Sequence, residues 1–148
     1  MNTIATYLGS DHQRCDEYFI QAETHVSNNE WEQAATCLGQ FVEALERHFA
    51  MEEKVMFLEF EKATGSSAGP TAVMRMEHQQ LRAIVALLRE ALEARDADAY
   101  LGHSDTLNTM MQQHNMKEES VLYLMADRVL SGQQEAIIGA MTGIDAAA

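Results

Sequence analysis

The stretch HFAMEEKVMFL, which begins at His48, recurs 66 residues later as HNMKEESVLYL, which begins at His114. Each copy carries a glutamate four residues after its histidine, Glu52 in the first copy and Glu118 in the second. Positions i and i+4 of an α-helix lie on one face, so each copy presents an imidazole and a carboxylate side by side. This repeated helical motif decides the predicted fold.

The repeat also includes an earlier part of each half. DHQ at residues 11–13 lies over EHQ at residues 77–79 at the same 66-residue offset, which pairs His12 with His78. Self-similarity of this kind indicates an internal duplication. We therefore expect two helical hairpins, each with one lone histidine and one His-x-x-x-Glu motif, packed about a pseudo-two-fold axis.

The composition favours an all-α protein. Apolar residues make up 47% of the 148 residues, and only one proline and eight glycines are present. Strong helix formers are abundant, whereas the β-branched and aromatic residues typical of sheets are sparse. A chain of this length is expected to form a single domain over residues 1–148.

Turn and cap residues divide the sequence into four long amphipathic segments. Gly9-Ser10-Asp11 can cap the first segment, and residues 64–70 are the most loop-like in the chain. Long helices with short connections predict an up-down-up-down four-helix bundle over about residues 10–130. The first predicted helix ends at residues 26–29, the next three run over about 30–62, 70–95 and 98–130, and the extension 131–148 can form one short helix over 133–141 before frayed residues 144–148.

The four histidines of the repeat lie at matching depths in these helices. Each is 17 to 19 residues from the turn of its own hairpin, which is roughly 27 Å along a helix. Four imidazoles and two carboxylates can therefore converge, and they exceed the ligands of one tetrahedral zinc ion. The pattern favours a site for two metal ions with bridging carboxylates, formed by His12, His48, Glu52, His78, His114 and Glu118.

The donor types narrow the choice of metal. Imidazole with carboxylate and no thiolate favours iron over copper and leaves manganese or zinc open. The alternative is that the histidines are structural, either buried with satisfied hydrogen bonds or on the surface. A single His-x-x-x-Glu pair would not exclude that alternative, but the repeated spacing argues against it.

The net charge excludes several classes of partner. Ten lysines and arginines stand against 23 aspartates and glutamates, for a net charge of −13. Such a field repels nucleic-acid phosphates and anionic membrane surfaces. The longest apolar run, residues 83–88, is far too short to span a membrane. The start of the chain has no signal-peptide pattern and its two cysteines form no disulfide framework, so a cytoplasmic location is expected.

These residues resemble the hemerythrin-like (HHE) family of cation-binding domains. The resemblance spans about residues 10–130 and implies a four-helix bundle that holds two non-haem irons. Ferritin-like di-iron bundles carry Glu-x-x-His, the opposite order at a different spacing, and are the second choice. The resemblance rests on Asp11-His12, HFAMEEKVMF at 48–57, Glu77-His78 with Leu81-Arg82, and HNMKEESVLYLMAD at 114–127.

The resemblance also assigns roles within the site. It implies that the four histidines are terminal ligands of two irons (Fe2+/Fe3+), and that Glu52 and Glu118 bridge them together with an oxo, hydroxo or water bridge. The oxygen-carrying members have one further histidine a helical turn before the residue matched by His78, where this sequence has Met74. The second iron is therefore expected to keep an open or water-filled position where a small molecule can react. A reversible oxygen carrier is disfavoured.

Three acidic neighbours have an ordinary structural interpretation. Asp16 lies four residues after His12 and is expected to face solvent, with the alternatives that it orients that histidine or reaches the metal. Glu53 and Glu119 follow the proposed ligands and point about 100° away from them, which favours solvent or helix-dipole roles.

Three further side chains could in principle bind a metal, but other roles are expected for them. His103 is 11 residues before His114, too far along the helix to bind the same ion, and His25 is expected at the surface. Tyr123 is expected in the core or at its rim, with a phenolic ligand or a hydrogen-bond donor as the alternative.

The sequence leaves the function open between several classes, and it does not decide whether the chain is an enzyme. A binding or sensing module for dioxygen, nitric oxide or peroxide is favoured. The alternatives are a di-iron enzyme that breaks down peroxide, reduces nitric oxide or repairs iron–sulfur clusters, and a protein that stores or buffers iron. No nucleophile motif or glycine-rich phosphate loop is present.

Overall fold

The computed structural model describes residues 2–144, and these residues are almost entirely helical. No β-strand occurs among them, which confirms the all-α class. Two five-residue π-helical segments interrupt long helices. The elements are α1 (Ile4–Ser27), α2 (Trp31–Met51), a first π segment (Glu52–Met56), α3 (Phe57–Thr64), α4 (Pro70–Glu93), α5 (Ala97–Lys117), a second π segment (Glu118–Leu122), α6 (Tyr123–Val129) and α7 (Gln134–Thr142).

Helix α1 begins earlier than the sequence predicts. The predicted cap at residues 9–11 lies inside the helix, which begins at Ile4 with Thr3 as its N-cap. The carboxylate of Asp127, from α6, accepts hydrogen bonds from the backbone N–H groups of Ile4 at 2.8 Å and Ala5 at 3.1 Å. This cap comes from a residue more than 120 positions away, so local sequence could not reveal it.

The two π segments occupy equivalent places in the repeat. Each begins at the glutamate of a His-x-x-x-Glu motif, Glu52 or Glu118. In each, the backbone N–H after the segment, at Phe57 or Tyr123, donates to the carbonyl oxygen five residues earlier. The sequence predicts uninterrupted helices here, and π turns of this kind are frequent at functional sites.

The connections follow the predicted turn residues. Gly65 ends α3 with a positive φ of 73°, which glycine adopts without strain, and Pro70 begins α4. The carboxylate of Asp96 accepts a hydrogen bond from the Ala99 backbone N–H at 3.1 Å and caps α5. The short C-terminal helix is confirmed as α7. The predicted fraying concerns residues 144–148, and 145–148 lie outside the described residues.

The long helices pack around two apolar clusters. Helix α1 packs mainly against α2, and α4 packs mainly against α5, while α1 also contacts α5 and α6. One cluster includes Phe41 and Leu107, and the other includes Leu8 and Phe57. The four histidines of the repeat lie along their helices between members of the two clusters, so a polar layer separates them. Within residues 2–144, no helix has the length and apolar character needed to cross a bilayer.

Candidate metal centre

The structure brings the six predicted side chains together. All are buried, with exposed fractions of 0–4%. Their donor atoms form two overlapping groups, in each of which all donors lie within 4.8 Å of one another. The groups are Glu52, His78, His114 and Glu118, and His12, His48 and Glu118.

The ring Nε2 atoms of the four histidines face the two glutamates. Donors that share one octahedral ion at about 2.1 Å lie about 3 Å from each other, and the observed spacing is close to that value. The distances are 3.1 Å from His12 Nε2 to Glu118 Oε1, 3.2 Å from His78 Nε2 to Glu52 Oε1, 3.3 Å from His114 Nε2 to Glu118 Oε1, and 3.4 Å from His48 Nε2 to Glu52 Oε1.

Four polar atoms in this cluster form no hydrogen bond within the described part of the chain. They are Nε2 of His78 and His114, Oε1 of Glu52 and Oε2 of Glu118. A buried polar atom without a partner lowers the stability of the fold by about 1–3 kcal/mol. Four such atoms in one cluster therefore indicate a site for a bound group that pairs with them. These four residues are the members of one donor group. A bound cation would satisfy all of them, so the residues fit a metal.

The opposite ring nitrogen of every histidine is held by a second carboxylate. Each Nδ1–H donates to an acidic side chain on a neighbouring helical segment, which leaves the Nε2 lone pair to face the centre. Metal-binding histidines are oriented by this kind of contact. The pairs are His12 with Glu119 at 2.7 Å, His48 with Asp11 at 2.8 Å, His78 with Glu53 at 2.6 Å and His114 with Glu77 at 2.8 Å.

These outer contacts correct two sequence-based expectations. Glu53 and Glu119 are not simply solvent-facing residues, because each accepts from a site histidine on another helix. Their side chains do point away from the proposed ligand on their own helix, but the neighbouring helix supplies a histidine at that angle. Asp16 is half-buried and belongs to neither donor group, and His12 Nδ1 donates to Glu119, so the alternatives in which Asp16 orients His12 or reaches the metal do not hold.

Three of the outer carboxylates also contact a cationic side chain. Arg14 Nε lies 3.0 Å from Asp11, Arg82 Nη1 lies 3.2 Å from Glu53, and Lys117 Nζ lies 2.5 Å from Glu77. Burial would raise the pKa of each carboxyl group, but the neighbouring histidine and the cation outweigh burial and lower it. The outer carboxylates are therefore held in their charged, hydrogen-bond-accepting form.

Burial and nearby carboxylates shift the histidine pKa values in opposite directions. Burial lowers the pKa of His12, but the carboxylate of Glu118 outweighs it, and the pKa rises to about 9. Two neighbouring glutamates raise the pKa of His78 to about 9 in the same way. Burial prevails at His48, whose pKa is lowered.

The two central glutamates have opposite pKa shifts. Burial and the charge of Glu118 raise the pKa of Glu52. Burial also acts on Glu118, but hydrogen bonds from Glu52 and two histidines outweigh it and hold that pKa well below its usual range. Neighbouring buried carboxylates resist ionising together, whereas a cation between them favours the charged form of both.

The hydroxyl of Tyr123 lies at the centre of the site, while its ring belongs to one of the two apolar clusters. Its side chain is fully buried, and burial with the two carboxylates raises its pKa well above the usual range. The hydroxyl oxygen lies 2.7 Å from Glu52 Oε2, 2.9 Å from Glu118 Oε1, 3.1 Å from His12 Nε2 and 3.3 Å from His48 Nε2. The sequence interpretation of Tyr123 as a core aromatic therefore holds for its ring, and the alternative of a hydrogen-bond donor holds for its hydroxyl.

The second π segment explains why α-helical spacing does not predict that Tyr123 lies beside Glu118. Five residues along an α-helix rotate a side chain about 140° from its starting direction, which would turn Tyr123 away from Glu118. The π turn holds one extra residue, so the fifth residue takes approximately the place of the fourth. Tyr123 and Glu118 therefore share a face.

Aromatic rings enclose the half of the site around His78. Phe49 stacks on the imidazole with ring centroids 3.9 Å apart, and Phe57 stacks at 5.7 Å. Met74, a helical turn before His78, is buried and belongs to the apolar cluster that contains Phe57 and Tyr123. This half of the centre is therefore apolar on the side away from the glutamates.

A surface cleft of about 250 Å³ borders His114, in the same half of the site. It lies between α4 and α5, and its walls include Glu77, Leu81, His114 and Lys117. The two histidines outside the repeat, His25 and His103, are not part of the donor groups. His25 lies near the first turn, where its Nδ1 is 3.0 Å from Glu30 Oε1.

Comparisons with known proteins give one family. The family model described as the hemerythrin HHE cation binding domain matches residues 3–126, which is most of the chain. Neither the curated proteins nor the solved structures contain a match. The family resemblance of the sequence is thereby confirmed: the chain belongs to the family of hemerythrin HHE cation-binding domains.

Proposed function

We propose that the chain holds two iron ions and binds or senses a small molecule, namely dioxygen, nitric oxide or peroxide. The observation that carries this proposal is the buried group of six donors, which lie within 4.8 Å of one another in two overlapping groups and include four atoms without a hydrogen-bond partner. In this proposal His12 and His48 hold one iron, His78 and His114 hold the other, and Glu52 and Glu118 lie between them.

The donor set supports iron over the softer metals. Imidazole nitrogen and carboxylate oxygen suit iron, with manganese or zinc as alternatives, whereas thiolate would favour copper(I) or zinc. Cys15 is close in sequence to His12, but burial and the charge of Asp11 raise the pKa of its thiol to about 12. A thiol held in its protonated form is a poor metal ligand.

The protein itself orients the donors and keeps water away. The outer carboxylates fix each imidazole with Nε2 directed inwards, and Phe49 and Phe57 cover the ring of His78. Reduced iron supplies the ability to bind and exchange electrons with dioxygen, nitric oxide or peroxide. In this proposal small molecules approach from the cleft that His114 borders.

The proposal includes the arrangement of the chain around this site. We expect the four long helices to alternate in direction, because residues 28–30 and 94–96 connect helices that pack against each other. We also expect residues 1–148 to form one domain that works in the cytoplasm.

The function is tested with anaerobic, ferrous protein. We expect stoichiometric spectral changes on addition of nitric oxide and of dioxygen, without sustained turnover of peroxide. Multiple-turnover peroxide consumption or nitric oxide reduction would assign an enzyme instead. Absence of any reaction by iron-loaded protein would contradict both the binding and the enzyme proposals and would favour iron buffering.

A further inference from the structure

The repeat makes the two halves of the metal centre alike in their six donors, but the side chains beside those donors differ between the halves. At the 66-residue offset, Tyr123 matches Phe57. Tyr123 stacks on His12 with ring centroids 5.7 Å apart and an interplanar angle of 25°, and Phe57 stacks on His78 at 5.7 Å and 21°. The two aromatic rings therefore hold equivalent places, and the phenol hydroxyl is the group that only one half possesses.

That hydroxyl lies among the donors of the first half. Its oxygen is within 2.7–3.3 Å of two carboxylate oxygens and of the Nε2 atoms of His12 and His48. Ligands that share one octahedral ion lie about 3 Å apart, so the phenol oxygen occupies a position that a further ligand would take. Four simultaneous contacts also exceed the single hydrogen bond that a phenol can donate.

We propose that the phenol oxygen of Tyr123 is a seventh protein ligand, which joins His12 and His48 on one metal ion. This inference rests on the proposed di-iron function and deepens it. Binding through the phenol oxygen releases the phenol proton to solvent, as happens when metals bind other acidic ligands. The two metal positions are then unequal, with three terminal protein ligands on one side and two on the other.

The unequal number of protein ligands indicates which metal position binds the small molecule. His78 and His114 form the half with fewer protein ligands. In this half Phe57 has no hydroxyl group at the place where Tyr123, in the other half, has one. The cleft between α4 and α5 reaches His114 on this same side. A small uncharged ligand is therefore expected to bind on the side of His78 and His114, where aromatic rings exclude water.

The experiment compares the visible spectrum of three ferric proteins at known iron content. Wild-type protein with two irons per chain is expected to show a phenolate-to-iron charge-transfer band, with tyrosine ring modes enhanced in resonance Raman spectra excited in that band. Tyr123→Phe should abolish the band and the modes. Tyr100→Phe is the matched control, because Tyr100 is also buried but lies 14 residues before His114 on α5, which is roughly 21 Å along the helix, and it should retain both.

The wild-type measurement decides the proposal even where Tyr123→Phe fails to fold. Di-iron wild-type protein without tyrosine ring modes would overturn the inference and leave Tyr123 as a hydrogen-bond donor to Glu52. Retention of the band in Tyr123→Phe would also overturn it. Wild-type protein that takes up no iron would instead overturn the proposed function, and this inference with it.

Discussion

At the scale of single residues, each histidine of the centre is held by a hydrogen bond at Nδ1. Nδ1 donates to an outer carboxylate, and Nε2 faces a central one. The ring can therefore not turn without losing a charge-assisted hydrogen bond, which is worth about 1.5–3 kcal/mol. This arrangement gives separate roles to inner and outer acidic residues, and those roles can be tested one substitution at a time.

Removal of an inner donor should cost metal loading. We expect His114→Ala and Glu118→Ala to lower bound iron from two per chain to one or fewer, because each removes a donor that faces the centre. His103→Ala and His25→Ala should load like wild type. Elemental analysis of the purified variants measures this, and an equal loss in His103→Ala would contradict the assignment of the ligands.

Neutralising an outer carboxylate should weaken metal binding without abolishing it. Asp11→Asn is expected to lower iron affinity by about 10–100-fold, the usual effect of altering the group that orients a ligand, because the amide has no negative charge and also carries a donor that His48 Nδ1–H cannot bind. Asp16→Asn is the matched control on the same helix, because Glu119 and not Asp16 accepts from His12. Competition titration with a chelator measures both affinities. Equal affinities of Asp11→Asn and wild-type protein would show that the outer carboxylate does not orient His48.

The outer carboxylates could have been found from the sequence. Asp11 and Glu77 are equivalent in the repeat, and so are Glu53 and Glu119. All four belong to the same 66-residue repeat as the inner donors. The repeat predicts which residues are equivalent, but it does not predict which neighbouring helix each side chain faces. The rotation of about 100° per residue shows only that Glu53 and Glu119 point away from the ligand on their own helix, which is why solvent is the expected environment from sequence.

At the scale of helices, the two π segments determine which side chains reach the centre. The His-x-x-x-Glu motif precedes the extra residue, so its α-helical spacing predicted both members correctly as neighbours. Tyr123 and Phe57 follow the extra residue, so α-helical spacing gives them the wrong direction. A π turn has no distinct sequence pattern here, so the sequence predicts a role for Tyr123 in the site only as an alternative.

The start of α1 offers a test of a contact between helices. Asp127 caps α1 through the backbone of Ile4 and Ala5. We expect Asp127→Ala to lower the free energy of unfolding by about 1–2 kcal/mol, as for the loss of other helix caps. Asp105→Ala, on the exposed face of α5, should change stability by no more than about 0.5 kcal/mol. Chemical denaturation measures both, and equal stability of the two variants would contradict the capping role.

At the scale of the whole molecule, a buried polar layer separates two apolar clusters. Four unpaired buried atoms and two neighbouring carboxylates make this layer unfavourable on its own. A metal that binds the folded chain and not the unfolded chain would offset that cost. The centre should therefore contribute to folding as well as to ligand binding.

Metal removal should lower the thermal stability of the protein. Iron at a thousand times its dissociation constant adds about 4 kcal/mol, which corresponds to a rise of roughly 10 °C in Tm for a chain of this size. Calorimetry with iron and with a chelator should show that difference in wild type and in His103→Ala. His114→Ala should show much less of it. A Tm of wild type that does not depend on iron would contradict a structural contribution of the metal.

The central claim is a di-iron centre, and metal stoichiometry tests it most directly. Elemental mass spectrometry of untagged protein, reconstituted anaerobically with ferrous iron, gives the number of ions per chain. We predict two irons per chain, bound by the six donors that converge between the helices. One iron per chain at saturation, or none, would contradict the claim.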